Sequence, residues 1–380
     1  MFSDTIQFVK SLFPKQDFIP LHEPKFTGNE KKYINDCIDS TYVSSVGEYV
    51  NRFEELMVEL TGAKYAIAIV NGTNALHIGM IVSGVKPEEE VISQALSFVA
   101  TANAIKYCGA SPVFIDVDRD SLGMSSESLL NFLENNVELK GDGFSYNKKT
   151  KKRIAACVPM HTFGFPCNID EIADICQRWN IALIEDAAES IGSYYQNKHT
   201  GRFGGVGVFS FNGNKTITCG GGGAIITDNE SIAKRIKHIT TQAKVSHPWE
   251  FIHDEIGYNY RMPNLNAALA CAQLEQLEEF VSNKRGLAAI YKDYFANNSI
   301  NYISEPNNSK SNYWLNSILL SDKEERDQFL AYFNNNGVMA RPVWELMTNL
   351  PMYSDCQNDG LVNSKWLKDR LVNIPSSVRL

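Results

Sequence analysis

Short apolar runs separated by helical stretches constrain this chain more than any other feature. Tyr65 to Val70, Val91-Ile92, Pro112 to Val117, Ile154 to Pro159 and Ile181 to Ile184 read as strands, most of them almost continuously apolar. Helix-period segments lie between them, starting at Ala75, Phe98, Ser126 and Asp170. Strands that are apolar on both faces need cover on both faces, so the alternation predicts an α/β fold built on a mainly parallel sheet. From Arg285 the texture changes. Short strands (Tyr313 to Leu319, Val338 to Val343) flank a charged helix, Lys323 to Phe333, which is the pattern of a smaller α+β domain. The expected division is an N-terminal arm over 1–18, a large domain over 19–284 and a small C-terminal domain over 285–380.

Around this frame the sequence predicts further elements. Asp4 to Phe13 carries apolar residues at helical spacing and stops at Pro14, an amphipathic arm able to pack on its own body or on a second subunit. Gly28-Asn29-Glu30 opens a helix to about Asp39, and a second follows with Phe53, Leu56, Met57 and Leu60 on one face. Glu138 to Arg153 is polar and lysine-rich, a solvated excursion. One long helix is expected from Leu265 to about Lys284.

Composition narrows the class of function. The net charge of −8 lacks the basic bias of a nucleic-acid binder. No apolar run approaches a membrane span, and the first residues show no cleavable signal pattern. The eight cysteines form no CxxC pair and no metal-ligand cluster with histidine, so they read as reduced packing residues in the cytoplasm, and no metal site is expected.

Three places carry chemistry. Gly207 to Ser210 is apolar and ends in a hydroxyl; it leads into a polar turn presenting Lys215, with four glycines at 220–223 behind it. A lysine there is either a solvated loop residue or an amine for Schiff-base chemistry, kept partly neutral by desolvation or a cationic neighbour. Asn71-Gly72-Thr73-Asn74 stands between a strand and a helix. It is either a simple N-cap or an anion site of backbone N–H groups with Thr73 and Asn74 in reach. Asp186 is delivered at the carboxyl end of an apolar strand, where open α/β sheets bind ligands, and it either caps the next helix or faces a cation. A phosphate turn, a strand-end carboxylate and a strand-end lysine, in that order, are what pyridoxal 5′-phosphate (PLP) requires.

With these residues in place the chain resembles the DegT-like nucleotide-sugar aminotransferases of fold-type I. The likeness runs from Ile19 nearly to the end. It shows in Asn71 to Leu76, Ser97 to Thr101, Glu185 to Ser190, Phe209-Ser210-Phe211 and the Asn214-Lys215 turn. The resemblance implies that Lys215 forms the Schiff-base link to PLP and moves a proton to and from substrate. It implies that Asp186 pairs with the pyridinium nitrogen, that Glu189 lies near the ring hydroxyl and that Phe98 stacks on the ring. Gly72, Thr73, Asn74 and Ser210 hold the phosphate, and Asn259 reaches it from the partner subunit of a homodimer with shared sites. His161, Tyr313, Trp314 and Arg341 are candidate substrate contacts, each equally readable as packing.

Many members of that family carry Gly-Glu-Gly-Gly after the lysine, whereas Gly221 stands at the glutamate position here. The all-glycine turn and the N-terminal arm look like the subgroup of bacillosamine and legionaminic acid pathways. That subgroup implies transfer of an amino group from glutamate to C4 of a UDP-4-keto-6-deoxy-N-acetylhexosamine. A GDP-perosamine synthase is the rival of the same chemistry. A non-catalytic regulator with a PLP fold is the rival of another class; it calls for a lost lysine or an attached DNA-binding domain, and the chain shows neither. Dehydratases of the family replace the lysine by histidine, so the retained Lys215 points to transamination.

Overall fold

Seven strands form the central sheet of the computed structural model, which describes residues 2–14, 16–298 and 300–379. They are β1 (Tyr65–Ile69), β2 (Glu90–Gln94), β3 (Ser111–Ile115), β4 (Ile154–Val158), β5 (Ala182–Asp186), β6 (Val206–Ser210) and β7 (Gly223–Thr227). Their order is β1-β7-β6-β5-β4-β2-β3. Pairing is parallel from β6 through β3, and β7 runs antiparallel between β1 and β6. The sheet is mainly parallel, as its buried apolar strands require. Because β7 is antiparallel to both neighbours, β1, β5 and β6 point the same way. Their carboxyl ends therefore open on one edge, with Asn71, Asp186 and Ser210 side by side.

Helices cover both faces. On one side Gly72–Val82 and Glu230–Thr240 bury Ile78, Ile236 and Ile239 against Ile67, Ile184 and Val208. On the other, Glu48–Thr61 and Asn264–Leu274 pack Phe53, Met57, Ala267 and Cys271 around Phe209 and Phe211. Each fully buried Ile, Val, Phe or Met among these contributes about 1.5–3 kcal/mol. A second sheet, β8 (Asn301–Tyr302), β9 (Asn316–Leu319), β10 (Arg341–Pro342) and β11 (Leu371–Ile374), has the order β8-β9-β11-β10 and is antiparallel throughout. The charged helix Lys323–Asn335 buries Phe329 and Phe333 in the cluster that contains Ile318, Val372 and Ile374 of this sheet.

The N-terminal helix Phe2–Leu12 settles on its own chain. Ile6 and Val9 are buried with Phe329, Phe333 and Tyr291, and the Phe8 ring stacks on Tyr294 at 3.7 Å. Two expectations are corrected. The polar excursion contains a hairpin, Val137–Leu139 with Ser145–Asn147, and the buried Asn147 side chain donates to Glu90 (2.8 Å) and Gln357 (2.9 Å). The single long helix is two, Asn264–Leu274 and Leu277–Ala296, broken at Glu275-Gln276. Side chains from the first helices grip that break: Tyr33 donates to Glu275 at 2.8 Å, Arg52 pairs with the same carboxylate, and Gln276 donates to Glu30 at 2.7 Å. No helix among the described residues is long and apolar enough to cross a membrane.

Candidate active site

The edge where β1, β5 and β6 end encloses a cavity of about 380 Å³ lined by Gly72, Thr73, Phe98, Asp186, Glu189, Ser210, Lys215 and Trp314, among others. Its first wall is a helix N-terminus. Asn71 caps the helix Gly72–Val82, its side chain accepting the Asn74 N–H at 2.8 Å. The amide of Asn74 is thereby spent, and Asn74 does not line the cavity; Gly72 and Thr73 do. A Cβ on Gly72 would lie 2.8 Å from the Ser210 Cβ, so only glycine lets this turn close on β6. The result is a set of helix-end N–H groups beside a hydroxyl, the arrangement that receives a phosphate.

Asp186 ends β5 and is 2% exposed. Its two oxygens accept from the Thr101 hydroxyl (2.7 Å) and the Ala188 N–H (3.2 Å). Burial pushes its carboxyl above the usual carboxylate range, the mark of a buried anion short of a cation. Behind it His161 is sealed from solvent. The Cys167 N–H donates to Nδ1 at 3.3 Å, which leaves Nε2 to donate to Glu185 at 3.1 Å. The backbone N–H of His161 donates to the Asp186 carbonyl at 3.1 Å.

Lys215 lies in the turn after β6, with its N–H donating to the Asn212 carbonyl at 3.0 Å. Its Nζ stands 3.0 Å from Glu189 and 4.1 Å from the centre of the Trp314 ring. The other Glu189 oxygen accepts the Phe163 N–H at 2.9 Å, and burial pushes the Glu189 carboxyl up to about 7. Phe163 holds φ +56°, a left-handed conformation costing a non-glycine residue about 1–2 kcal/mol. That strain sits where the backbone turns toward Glu189. Phe98 is 48% exposed at the mouth, with its ring 6.2 Å from that of Trp344.

The cavity thus brings together Gly72, Thr73, Phe98, Asp186, Glu189, Ser210, Lys215 and Trp314 of the residues singled out in the sequence. Five others stand elsewhere, Asn74 among them because its N–H is held by the Asn71 cap. His161 is locked beneath Asp186 by Glu185 and Cys167, and the Tyr313 hydroxyl is taken by the Glu305 N–H at 3.1 Å. Arg341 is exposed on β10 and donates to Asn334 at 3.3 Å. Asn259 is exposed and bridges to Thr241, outside this chain's own cavity. The sequence reading assigned no role to Trp344, Asn212 or Met160, which also line the cavity, nor to Thr101, whose place in the motif Ser97 to Thr101 was the one available signal. Among the described residues one cluster has metal-ligand proximity, His238, Asp254 and Glu255; Glu255 is paired with Arg235.

Comparison with known proteins follows the same lines. The sequence profile of the DegT/DnrJ/EryC1/StrS aminotransferase family matches residues 24–380. A GDP-perosamine synthase of Escherichia coli O157:H7 is 38% identical over 89% of this chain and 88% of that protein. A GDP-perosamine synthase of Vibrio cholerae is 38% identical over 94% of each. The crystal structure of a DegT DnrJ EryC1 StrS aminotransferase from Brucella abortus superposes with a TM-score of 0.82 at 26% identity, covering 92% of this chain and 90% of that one.

Proposed function

Because the chain belongs to the DegT/DnrJ/EryC1/StrS aminotransferase family, and is a PLP-dependent nucleotide-sugar aminotransferase, we propose that it aminates C4 of a 4-keto-6-deoxy sugar nucleotide with glutamate as donor. The observation that carries this reading is the convergence of Asp186, Glu189 and Lys215 on one cavity beside a helix N-terminus. When bound, PLP supplies an electron sink for the α-proton of an amino acid. Gly72, Thr73 and Ser210 fit its phosphate. Asp186, held by Thr101 and Ala188, fits the protonated ring nitrogen, which provides the cation its burial lacks. Lys215 is positioned to take and return a proton at the carbon that carries the amino group, with Glu189 holding its Nζ between transfers. Phe98, Trp314 and Trp344 shield the reacting atoms from water.

The two near-full-length relatives named GDP-perosamine synthase favour a GDP-linked hexose as the acceptor. A UDP-linked N-acetylhexosamine of the bacillosamine and legionaminic acid type is the second reading. It rests on the all-glycine turn, with Gly221 where other members of the family carry glutamate. A Cβ on Gly221 would meet nothing nearer than the Val70 carbonyl at 3.9 Å, and φ there is not left-handed. Backbone geometry therefore does not demand glycine where other members carry glutamate, and the missing carboxylate is a difference in chemistry. Turnover of GDP- against UDP-linked 4-keto-6-deoxy sugars, with glutamate and detection of the amino sugar by mass, separates the two. No amination of either would sink both.

We also read the active unit as a homodimer with shared sites and a division between large and small domains near residue 284. Asn259 is exposed in a loop whose neighbours Trp249, Phe251 and Ile256 are 79%, 82% and 84% exposed, which supports a second copy covering this region. The eight cysteines are free thiols, seven of them buried, which supports a reducing cytoplasmic setting.

A further inference from the structure

Trp314 reaches Lys215 along a strained piece of backbone. Tyr313, just before it, holds φ +47°, a conformation that a residue with a Cβ adopts only when its surroundings enforce it. The enforcement comes from both ends of the turn. Asn312 accepts the Trp314 N–H at 2.8 Å and donates to the carbonyls of Glu189 and Ile191 at 2.9 Å each. On the far side Lys284, in the helix Leu277–Ala296, donates from Nζ to the Trp314 carbonyl at 3.2 Å and to the Ser376 carbonyl. The indole held between them has two tasks. Its ring lies 4.1 Å from Lys215 Nζ, and its N–H donates to the Asn214 carbonyl at 2.6 Å, in the turn that carries Lys215.

Lys284 is an unusual anchor. It is fully buried, and its hydrogen-bond partners among the described residues are carbonyls, with no carboxylate among them. Burial pulls its pKa down to about 7. His22 shares the region. Neither of its ring nitrogens has a partner among the described residues, and burial, then Lys284 and Lys215, hold it well below the usual histidine range. An apolar side chain would fill the same space without the desolvation cost of an amine. What an apolar side chain cannot do is hold the Trp314 carbonyl.

We propose that Lys284 is a positioning residue for the Lys215 amine, acting through Trp314. By fixing the Trp314 carbonyl it keeps the strained turn in place, and so sets the indole against Lys215 Nζ and the Asn214 carbonyl. The inference rests on the reading of Lys215 as the lysine that carries PLP.

The test is a double-mutant cycle on the PLP-loaded enzyme with Lys284→Met and Trp314→Ala. A second readout is the rate at which the cofactor-free chain captures PLP at Lys215, followed by visible absorbance and fixed by borohydride. The expected result is a loss in kcat of roughly ten- to a hundredfold for Lys284→Met, from misplacement of the reacting amine, with little change in KM. PLP capture slows in parallel, and the double variant is no worse than Trp314→Ala alone. A folded Lys284→Met enzyme with wild-type turnover and capture overturns the proposal, and so do losses that add. Where Lys284→Met does not fold, Lys284→Gln keeps an N–H for the Trp314 carbonyl. Substantial recovery of turnover in that variant supports the proposal, and a variant slowed a hundredfold or more overturns it. Borohydride labelling of a lysine other than Lys215 in the unaltered enzyme is a failure of the cofactor reading, seen separately from the coupling of Lys284 to Trp314.

Discussion

Lys215 Nζ and Glu189 Oε1 lie 3.0 Å apart, with side chains 11% and 1% exposed. The pair is held from two sides: Phe163 donates to the second Glu189 oxygen, and Trp314 covers the amine. A lysine so placed has a partner before any ligand arrives, and a ligand carbonyl must compete with that carboxylate for the amine.

Asp186→Asn should keep the fold and lose turnover. The amide retains a carbonyl for the Thr101 hydroxyl or the Ala188 N–H but removes the charge that a protonated ring nitrogen needs. A loss of about a thousandfold in kcat is expected, roughly 4 kcal/mol at the transition state. Steady-state kinetics beside a melting curve checks it, and near wild-type turnover would show that Asp186 serves only the hydrogen bonds it makes here.

Glu189 gives the cofactor-free chain a signed pH dependence. Its carboxyl rises from an ordinary 4.5 to about 7 on folding, chiefly through burial. Between those values the folded chain binds more protons than the unfolded chain, so stability falls as pH rises from about 4.5 to 7. Glu189→Gln should flatten that part of the curve. Melting temperatures of both proteins at several pH values in this window decide the matter; parallel curves reject the assignment.

Gly72→Ala should damage phosphate binding more than stability. The added methyl, 2.8 Å from the Ser210 Cβ, forces β6 and the helix start apart. Overpacking of this kind costs about 1–3 kcal/mol. Equilibrium dialysis of PLP against the variant should show weaker retention than in the unaltered chain, and equal retention would place the phosphate elsewhere.

Mixing two inactive variants tests the shared site. Lys215→Ala lacks the amine, and Asn259→Ala lacks the residue read as reaching across. Hybrids contain one site with both intact, so activity should return toward a fraction of the wild-type level on mixing and refolding together. Sedimentation of an active monomer, or confirmed hybrids without activity, counts against the shared site.

How far the sequence carries these conclusions depends on whether a feature is local. Asp186 was legible because a continuous apolar strand runs straight into an acidic residue, and Lys215 because the turn around it is polar and glycine-backed. The helix pattern after Asn264 continues unbroken through Glu275, yet the helix breaks there. The side chains that hold the break, Tyr33, Arg52 and Glu30, come from helices at the other end of the chain. The place of His161, outside the cavity lining, was hidden for a related reason. Nothing near it in sequence shows that Glu185 and Cys167 consume both ring nitrogens. Trp344 carried no signal, because its place beside Phe98 depends on how the segment around the second sheet folds back.

The antiparallel strand β7 also bears on the order in which the molecule can be assembled. β1 and the phosphate turn emerge early in the chain, but their neighbour in the sheet is a strand made only after Lys215. At their junction the chain is tight: a Cβ on Gly223 would sit 2.6 Å from the Asn71 carbonyl. Until β7 inserts, β1 has no partner on that side, and the turn has no Ser210 to close on. This is a long-range contact that must wait for its loop to close, the kind that slows folding. The phosphate turn therefore cannot take its place against β6 in the finished sheet before the residues of β7 have been made.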